Sequence, residues 1–423
     1  MLNIQYFEYL STIIFLLAII HTFFTGQFNK QAGKRRPGSV SENFLHLMGE
    51  VEIVFGLWSA VLIIISLIVF NSEFIISYLN GRDFTEAFFV FVVMTICSTH
   101  PILLLFEKIL INISKLIPID KRYSAYISIL FIGPLFGSLI TEPAAMTICA
   151  YLLLPRYFSS NNSLRFKYAT IALLFINISL GGTLTPYAAP PILMVASKWN
   201  WDLAFMLVHF APKTILCLLI NTLLTTFFFR KEILKHNNIT PTKIISETPF
   251  LITSIHLFFL FLVVLTAHHM VLFVGLFLFF VGFLRATKEY QAPLKLREPL
   301  LVSFFLGGLI VLGGPQKWWL APLITNLSKH QLFFGSIGIT ALTDNAALTY
   351  LGSLVPSLDL QAKLSLVSGS VIGGGLTLIA NAPNPAGFGI LRKSFNQGSF
   401  SPLKLLFSSA PMTIIAIIIF LFL

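Results

Sequence analysis

The chain has 423 residues, of which 56% are hydrophobic and only 11% are charged. A soluble domain has about 25% charged residues, so this composition excludes a soluble enzyme, a nucleic-acid-binding protein and a secreted disulfide scaffold. It indicates a polytopic membrane protein, in which the formal net charge of +11 reflects basic cytoplasmic loops. The three Cys residues lie in apolar stretches without CxxC spacing and indicate neither disulfides nor a zinc site.

Apolar runs in chain order predict ten membrane spans and two re-entrant hairpins. A span needs roughly 20 apolar residues to cross the hydrocarbon core as a helix. Hairpins are predicted where short apolar arms flank a polar tip, because non-helical backbone at membrane depth persists only inside protein or along a watered cavity. The predicted spans are 9–26, 44–70, 84–104, 165–195, 203–229, 250–267, 269–284, 300–314, 363–390 and 403–423, and the hairpins are 123–154 and 331–355.

The distribution of basic residues predicts the orientation of these spans. Twenty-two of the 28 Lys and Arg residues fall in loops on one side of the bilayer, five fall on the other side, and Lys213 lies within a span. Basic residues accumulate in cytoplasmic loops, so we expect a multi-pass protein of the cell (inner) membrane with its N-terminus outside. The first hairpin then enters the lipid bilayer from the cytoplasm and the second enters it from outside.

Similar segments in the two halves predict an inverted repeat. Residues 141–147 (Thr-Glu-Pro-Ala-Ala-Met-Thr) resemble residues 343–349 (Thr-Asp-Asn-Ala-Ala-Leu-Thr) at an offset of 202, and two further similarities follow in the same order. Five crossings separate equivalent points, so the halves have opposite orientation. We predict an all-α fold with a first repeat in 1–229, a cytoplasmic linker in 230–249 and a second repeat in 250–423, each repeat having about five spans and one hairpin.

Each predicted repeat contains an interrupted helix, in residues 165–195 and 363–390. Gly and Pro lie mid-span there; Pro removes a backbone donor, and Gly tolerates unwound geometry. Carbonyls freed at such breaks can bind a cation, and inverted repeats with broken helices are the architecture of secondary transporters. A kinked span without a site is the alternative.

The acidic hairpin tips, Glu142 and Asp344, are the main site candidates. An ionisable group at the bilayer centre costs at least about 2.5 to 3.5 kcal/mol on insertion scales, so its presence there indicates a function. Each residue also stands where an N-cap would begin the second hairpin arm, which is the structural alternative. For a Na+ ion held by the two carboxylates, the tips and breaks offer further ligands in Thr141, Thr343, Asn345, Asn381 and Asn384.

Three other charged residues are candidates for coupling ion and proton movement. Lys213, inside a predicted span, can pair with a hairpin carboxylate when no ion is bound. Glu50 and Glu52 stand near the cytoplasmic end of the second span and can serve ion or proton entry. The alternatives are a lysine that packs or extends toward the interface, and a solvated helix end.

The glycine-rich breaks at 181–191 and 374–385 and the two opposed hairpins resemble the ion transporter superfamily, which includes sodium/proton antiporters, arsenite exporters and dicarboxylate carriers. Together with residues 46–58, they make the chain most similar to a bacterial family of putative sodium/proton antiporters. This resemblance implies a transport domain of hairpins and broken helices that moves against a scaffold, often in a dimer. The tips differ from the Ser-Asn-Thr of the dicarboxylate carriers, which disfavours carboxylate substrates.

The residues and the resemblance together predict a secondary active transporter that exchanges a monovalent cation, Na+, for H+ by alternating access and needs no cofactor. Burial and a neighbouring negative charge both raise the pKa of a carboxyl group, so proton and cation can compete for the same carboxylates. Three alternatives stay open: a sodium-coupled or uncoupled anion transporter of the arsenite or carboxylate type, an intramembrane enzyme, and a channel. No P-loop, GxSxG or HExxH sequence supports ATP-driven transport or a common hydrolase mechanism.

Overall fold

The computed structural model describes residues 2–158, 162–235, 248–395 and 400–423. It is 81% helical, and within these ranges it contains no strand. The bent pair Thr85–Cys97 and His100–Leu116 is together long and apolar enough for one span, with its two helices at 67° to each other. Seven helices in the described ranges are long and apolar enough to cross a membrane: Ile4–Ala32, Val51–Val69, Lys121–Ile140, Leu164–Leu184, Ala211–Phe228, Arg297–Thr325 and Pro402–Phe422. The prediction of an all-α polytopic membrane protein is therefore confirmed.

The first six helices cover the first three predicted spans with several differences. The helix Ser72–Asn80 lies outside every predicted span, and the helix His100–Leu116 continues past the predicted end at 104. The predicted span 44–70 is two helices, which separate at Gly49 and Glu50. The predicted span 84–104 bends at Ser98 and Thr99, because Pro101 favours the first turn of a new helix. The helices are α1 Leu2–Ala32, α2 Val40–Met48, α3 Val51–Val69, α4 Ser72–Asn80, α5 Thr85–Cys97 and α6 His100–Leu116.

The next helices contain the first predicted hairpin and the first broken helix. The first hairpin arm is longer than predicted: a π-helical turn, Ser128–Ile132, joins α7 to α8, and the whole arm has the length of a span. The chain then breaks at Thr141, and a second break follows at 182–189. The helices are α7 Lys121–Ile127, α8 Gly133–Ile140, α9 Glu142–Tyr157, α10 Leu164–Gly181, α11 Pro190–Trp199, α12 Leu203–His209, α13 Ala211–Phe228 and α14 Arg230–Ile233.

The remaining helices contain the second hairpin and the second broken helix. The predicted span 363–390 is interrupted at 374–382, and the predicted tip lies between α19 and α20. The helices are α15 Phe250–Leu265, α16 Met270–Ala286, α17 Arg297–Gly313, α18 Lys317–Thr325, α19 Lys329–Thr340, α20 Asn345–Ser353, α21 Leu360–Gly373, α22 Pro383–Leu391 and α23 Pro402–Phe422. Residues 236–247 of the predicted linker lie outside the described ranges, and the division into two repeats stays a prediction.

Helix packing brings both tips and both breaks to one place. The arm after the first tip, α9, packs against α22 after the second break, while α20 after the second tip packs against α11 after the first break. Between them α10 meets α21, where Ser179 Oγ donates a hydrogen bond to Val371 O at 2.7 Å. A second group, α1, α3, α5 and α17, packs together. We call the meeting point of the two tips and two breaks the crossing.

Candidate ion-binding site

Each hairpin tip is joined to the helix break that follows it by a backbone hydrogen bond. Glu142 N donates to Ala188 O at 3.3 Å, and Asn345 N donates to Ala380 O at 3.0 Å. These bonds pair Glu142 with Asn345, whereas the sequence similarity at an offset of 202 pairs Glu142 with Asp344. In the structure, the two acidic residues therefore stand one position out of register.

A second pair of hydrogen bonds has the same register. Thr185 Oγ1 donates to Ser138 O at 2.7 Å, and Thr377 Oγ1 donates to Ala341 O at 2.9 Å. Both pairs relate the tips by an offset of 203 residues and the breaks by an offset of 192. The same tip-to-break contact is thus built twice in the chain.

Glu142 lies at the crossing and is 0% exposed. Its Oε2 accepts a hydrogen bond from Asn381 Nδ2 at 2.9 Å, which joins the first tip to the second break. A Cβ added to Gly182 would lie 2.5 Å from Glu142 Cγ, so only glycine allows the first break to approach this side chain so closely. Hydrogen bonds to an ionised carboxylate are among the stronger ones in proteins. Both breaks therefore fix the position of Glu142.

Thr141, directly before Glu142, has an uncommon backbone conformation. Its φ of 80° and ψ of 149° fall in a region that β-branched residues rarely adopt. Such a conformation costs about 1 to 3 kcal/mol and occurs mostly at functional sites, where the surrounding structure holds it. The strain lies at the tip that carries the buried carboxylate.

Asp344 has a different local role from Glu142. It is the N-cap of α20, and its Oδ1 accepts hydrogen bonds from Ala346 N at 2.8 Å and Ala347 N at 3.2 Å. A cap of this type stabilises a helix by about 1 kcal/mol. The start of α9 has no side-chain cap bond among the described residues. The structural alternative that the sequence offered, an N-cap, therefore applies to Asp344 and does not apply to Glu142.

The second break uses its own asparagine to bind the carbonyls that it frees. Asn384 Nδ2 donates to Gly374 O and to Thr377 O, each at 2.8 Å. Asn345 is buried and lies against Gly374. With Ala188 O and Ala380 O bound by the tips, several carbonyls that the sequence offered as cation ligands already accept hydrogen bonds.

Side-chain oxygens remain as ligands. Oxygen is the preferred ligand atom of hard cations, and buried polar atoms normally have a hydrogen-bond partner. The hydroxyl of Thr343 has such a partner, because it donates a hydrogen bond to Ile339 O at 2.9 Å. Within the described ranges, five buried oxygens of predicted site residues have no partner: Thr141 Oγ1, Glu142 Oε1, Asn345 Oδ1, Asn381 Oδ1 and Asn384 Oδ1.

The three candidate coupling residues lie in different surroundings. Lys213 is the third residue of α13, with its Nζ 5.8 Å from the ring centroid of Phe420, and none of the ion pairs among the described residues includes it. Glu50 forms an ion pair with Arg297. Glu52 lines a cavity of about 10 Å³ together with Asp344 and Asn381, which we call the small cavity.

Two of the larger cavities reach elements of the crossing. One, of about 270 Å³, reaches Thr141 and is also lined by Glu52, Lys295 and Glu298; we call it the entry cavity. The other, of about 910 Å³, reaches the first break and is lined by Thr185, Pro186, Asp83, Glu86 and His268. In the predicted orientation, the entry cavity opens to the cytoplasm and the other cavity opens to the outside.

Two serines at the crossing were missed by the sequence reasoning. Ser138 Oγ donates to Gly181 O at 2.6 Å and accepts from Leu184 N at 2.9 Å, so it binds the first hairpin arm to the first break. Ser179 joins α10 to α21. The sequence signal that could have identified them is a polar residue within an apolar arm. Ser138 stands three residues before a tip, and Ser179 stands two residues before a break.

Membrane-length helices, two interrupted helices and buried oxygens on the tips and the second break define a polytopic α-helical membrane protein with the features of a transporter. A family model described as "Putative Na+/H+ antiporter" matches residues 6–423, and the chain belongs to this family. The family stated from the sequence resemblance is therefore confirmed. A comparison with curated proteins gives no match.

Proposed function

We propose that this chain is a secondary active antiporter that exchanges Na+ for H+ by alternating access at the crossing. The observation that carries the proposal is the set of five buried oxygens without hydrogen-bond partners among the described residues, from both tips and the second break. One of them belongs to a carboxylate, which supplies the negative charge that a monovalent cation requires. Na+ is a hard cation, and the donor set consists of oxygen atoms.

Exchange follows from the cost of burying an uncompensated charge. An ionised carboxylate isolated from water is strongly unfavourable, so the Glu142 carboxylate needs either a cation or a proton. The two ligands exclude each other at the same oxygens. Because the crossing lies between two cavities, alternating exposure of one site would turn this exclusion into counter-transport. Asp344, which lines the small cavity beside Asn381, supplies the second carboxylate of the pathway.

The architecture that we propose follows the same elements. The tip-to-break bonds, built twice at constant offsets, support an inverted repeat. The tips and broken helices would move as one unit against the group α1, α3, α5 and α17. We propose the inner membrane, an outside N-terminus and a dimer, based on the basic-residue distribution and the resemblance. The transport cycle would need no cofactor and no covalent chemistry.

The test is Na+-driven proton movement in everted membrane vesicles. We expect Glu142→Gln to abolish exchange and Asp344→Asn to weaken it strongly, because each replacement removes a titratable carboxylate. Glu50→Gln is the matched control, since Glu50 pairs with Arg297 outside the small cavity. Normal exchange in both site variants would refute the mechanism.

The alternatives give different results in the same preparation. Proteoliposome flux measured in parallel with Na+, Li+, K+, arsenite and a dicarboxylate would identify the transported ion. Sodium-dependent anion uptake would favour the anion transporter, and rapid flux that does not saturate would favour a channel. Turnover by purified protein without a membrane gradient would favour an intramembrane enzyme.

A further inference from the structure

Glu52 lies where the entry cavity meets the small cavity. It is the second residue of α3 and lines both cavities. The entry cavity also contacts Thr141, while the small cavity contacts Asp344 and Asn381. A volume of about 10 Å³ corresponds to one water-sized sphere, so the small cavity suits a single small ion or water.

Three of the residues that line the small cavity have side-chain oxygens, and they come from three separate segments of the chain. Glu52 and Asp344 carry carboxylates, and Asn381 carries an amide. Asn381 is 1% exposed, and its Oδ1 has no hydrogen-bond partner within the residues that the structure describes. The Nδ2 of the same side chain binds Glu142. An ion in the small cavity is therefore separated from the carboxylate of the crossing by one side chain.

Glu52 belongs to a different packing group from the other two residues. Its helix, α3, packs against α17, and a Cβ on Gly308 would overlap the backbone nitrogen of Gly56. This close backbone approach fixes α3 against α17. Asp344 and Asn381 belong to a tip and a break. Glu52 can thus share an ion with them only while the crossing lies against this end of α3.

We propose that Glu52, Asp344 and Asn381 form a transfer site for a partly dehydrated monovalent cation, through which the ion passes between the entry cavity and Glu142. The site serves only the face of the membrane on which the entry cavity opens. This inference rests on the proposed antiport and adds a residue from outside the moving unit to the ion pathway.

The test uses Glu52→Gln in proteoliposomes with known protein orientation, and it measures the apparent KM for Na+ separately from each face. We expect KM to rise about tenfold or more from the entry-cavity face, because the variant loses one charge beside the ion, and to stay unchanged from the other face. Glu73→Gln is the matched control, since Glu73 is the second residue of α4, as Glu52 is of α3, and is not among the residues lining either cavity. Its KM should stay as in the unmodified protein.

A structural role for Glu52 would give a different result, because a general defect raises KM equally from both faces. Equal rises, or no change from either face, would overturn the transfer site. Glu52→Asp keeps the charge and shortens the side chain by one carbon, so we expect a smaller rise on the same face. If Glu52→Gln does not fold, Glu52→Asp is the deciding variant. A rise in its KM that is absent, or equal on both faces, refutes the proposal.

Glu142→Gln, measured in the same preparation, separates the two proposals. Lost exchange in Glu142→Gln, with no face-specific effect in Glu52→Gln, refutes the transfer site alone. Normal exchange in Glu142→Gln together with a face-specific effect in Glu52→Gln refutes the exchange site and retains the transfer site.

Discussion

Replacing Gly182 by Ala tests whether the first break positions the Glu142 carboxylate. The added Cβ would lie 2.5 Å from Glu142 Cγ, 2.6 Å from Oε1 and 3.0 Å from the carboxyl carbon. Non-bonded carbon atoms are comfortable at about 3.5 to 4.0 Å, so the side chain or the break must move by roughly 1 Å. A shift of this size would strain or break the 2.9 Å hydrogen bond from Asn381.

The size of the expected decrease in exchange follows from the packing and from this hydrogen bond. Adding a methyl group to a filled interior costs typically about 1 to 3 kcal/mol. If the cost falls on the arrangement that binds the ion, Na+-driven exchange should decrease about 5- to 160-fold, since 1.36 kcal/mol corresponds to a factor of ten. The fold should survive, because the change is confined to one contact.

The assay is Na+-dependent proton release in everted vesicles, with protein amount and melting temperature measured on the same preparation. Gly389→Ala is the matched control: it adds the same methyl group in α22, at a position where a Cβ would meet nothing within 4 Å. The reasoning is refuted if Gly182→Ala exchanges as fast as Gly389→Ala. If only Gly182→Ala has a much lower melting temperature, its loss of exchange results from destabilisation of the fold and not from a change at the site.

Three further predictions concern neighbouring residues. Thr141→Gly relieves a strained backbone, so thermal unfolding of the purified protein should show a gain of roughly 1 kcal/mol after the entropic cost of glycine is subtracted; a loss would contradict the strain. Asn381→Ala removes a hydrogen bond to a carboxylate, which contributes about 1.5 to 3 kcal/mol, and exchange should decrease at least about tenfold. Asn381→Asp tests the same contact with retained size, and the like charge should also weaken exchange. Glu50→Gln removes an ion pair of the exposed Arg297, and because such pairs contribute at most about 1 kcal/mol, melting temperature and exchange should both stay close to those of the parent protein.

Composition and hydropathy predicted the fold class because each membrane span needs a long apolar run. The two helix breaks were visible for a similar reason, since Gly and Pro mark them directly. The bends at Gly49 and at Ser98 were not predicted, although polar residues, Gly49 and Pro101 mark these places in the sequence. The first hairpin arm was predicted too short, since the π-helical turn Ser128–Ile132 continues a helix that the sequence pattern did not resolve.

The site residues stay a prediction, and the structure shows contacts among them that the sequence did not predict. Five of the seven oxygen-bearing candidates have an unpartnered buried oxygen among the described residues, and Asp344 and Thr343 are the exceptions. Asp344 caps a helix because α20 begins one position later, relative to the repeat, than the sequence similarity indicates. A shift of one residue is within the usual uncertainty of a helix start, yet it decides which side chain points into the crossing. Only the contacts between distant segments of the chain establish at which residue α20 begins relative to the repeat.

The register shift also affects how many carboxylates the proposed repeat would place at the crossing. A symmetric arrangement would place two carboxylates at the crossing, and two unit charges about 5 Å apart repel by roughly 3 kcal/mol at an effective dielectric constant of 20. In the structure Glu142 is matched by Asn345, an amide, and Asp344 instead faces the small cavity beside Asn381 and Glu52. Under the proposed function, one Na+ or one H+ would neutralise the Glu142 carboxylate. Asp344 would bind the ion earlier on its path, so the proposed repeat would hold two successive binding positions rather than two competing ones.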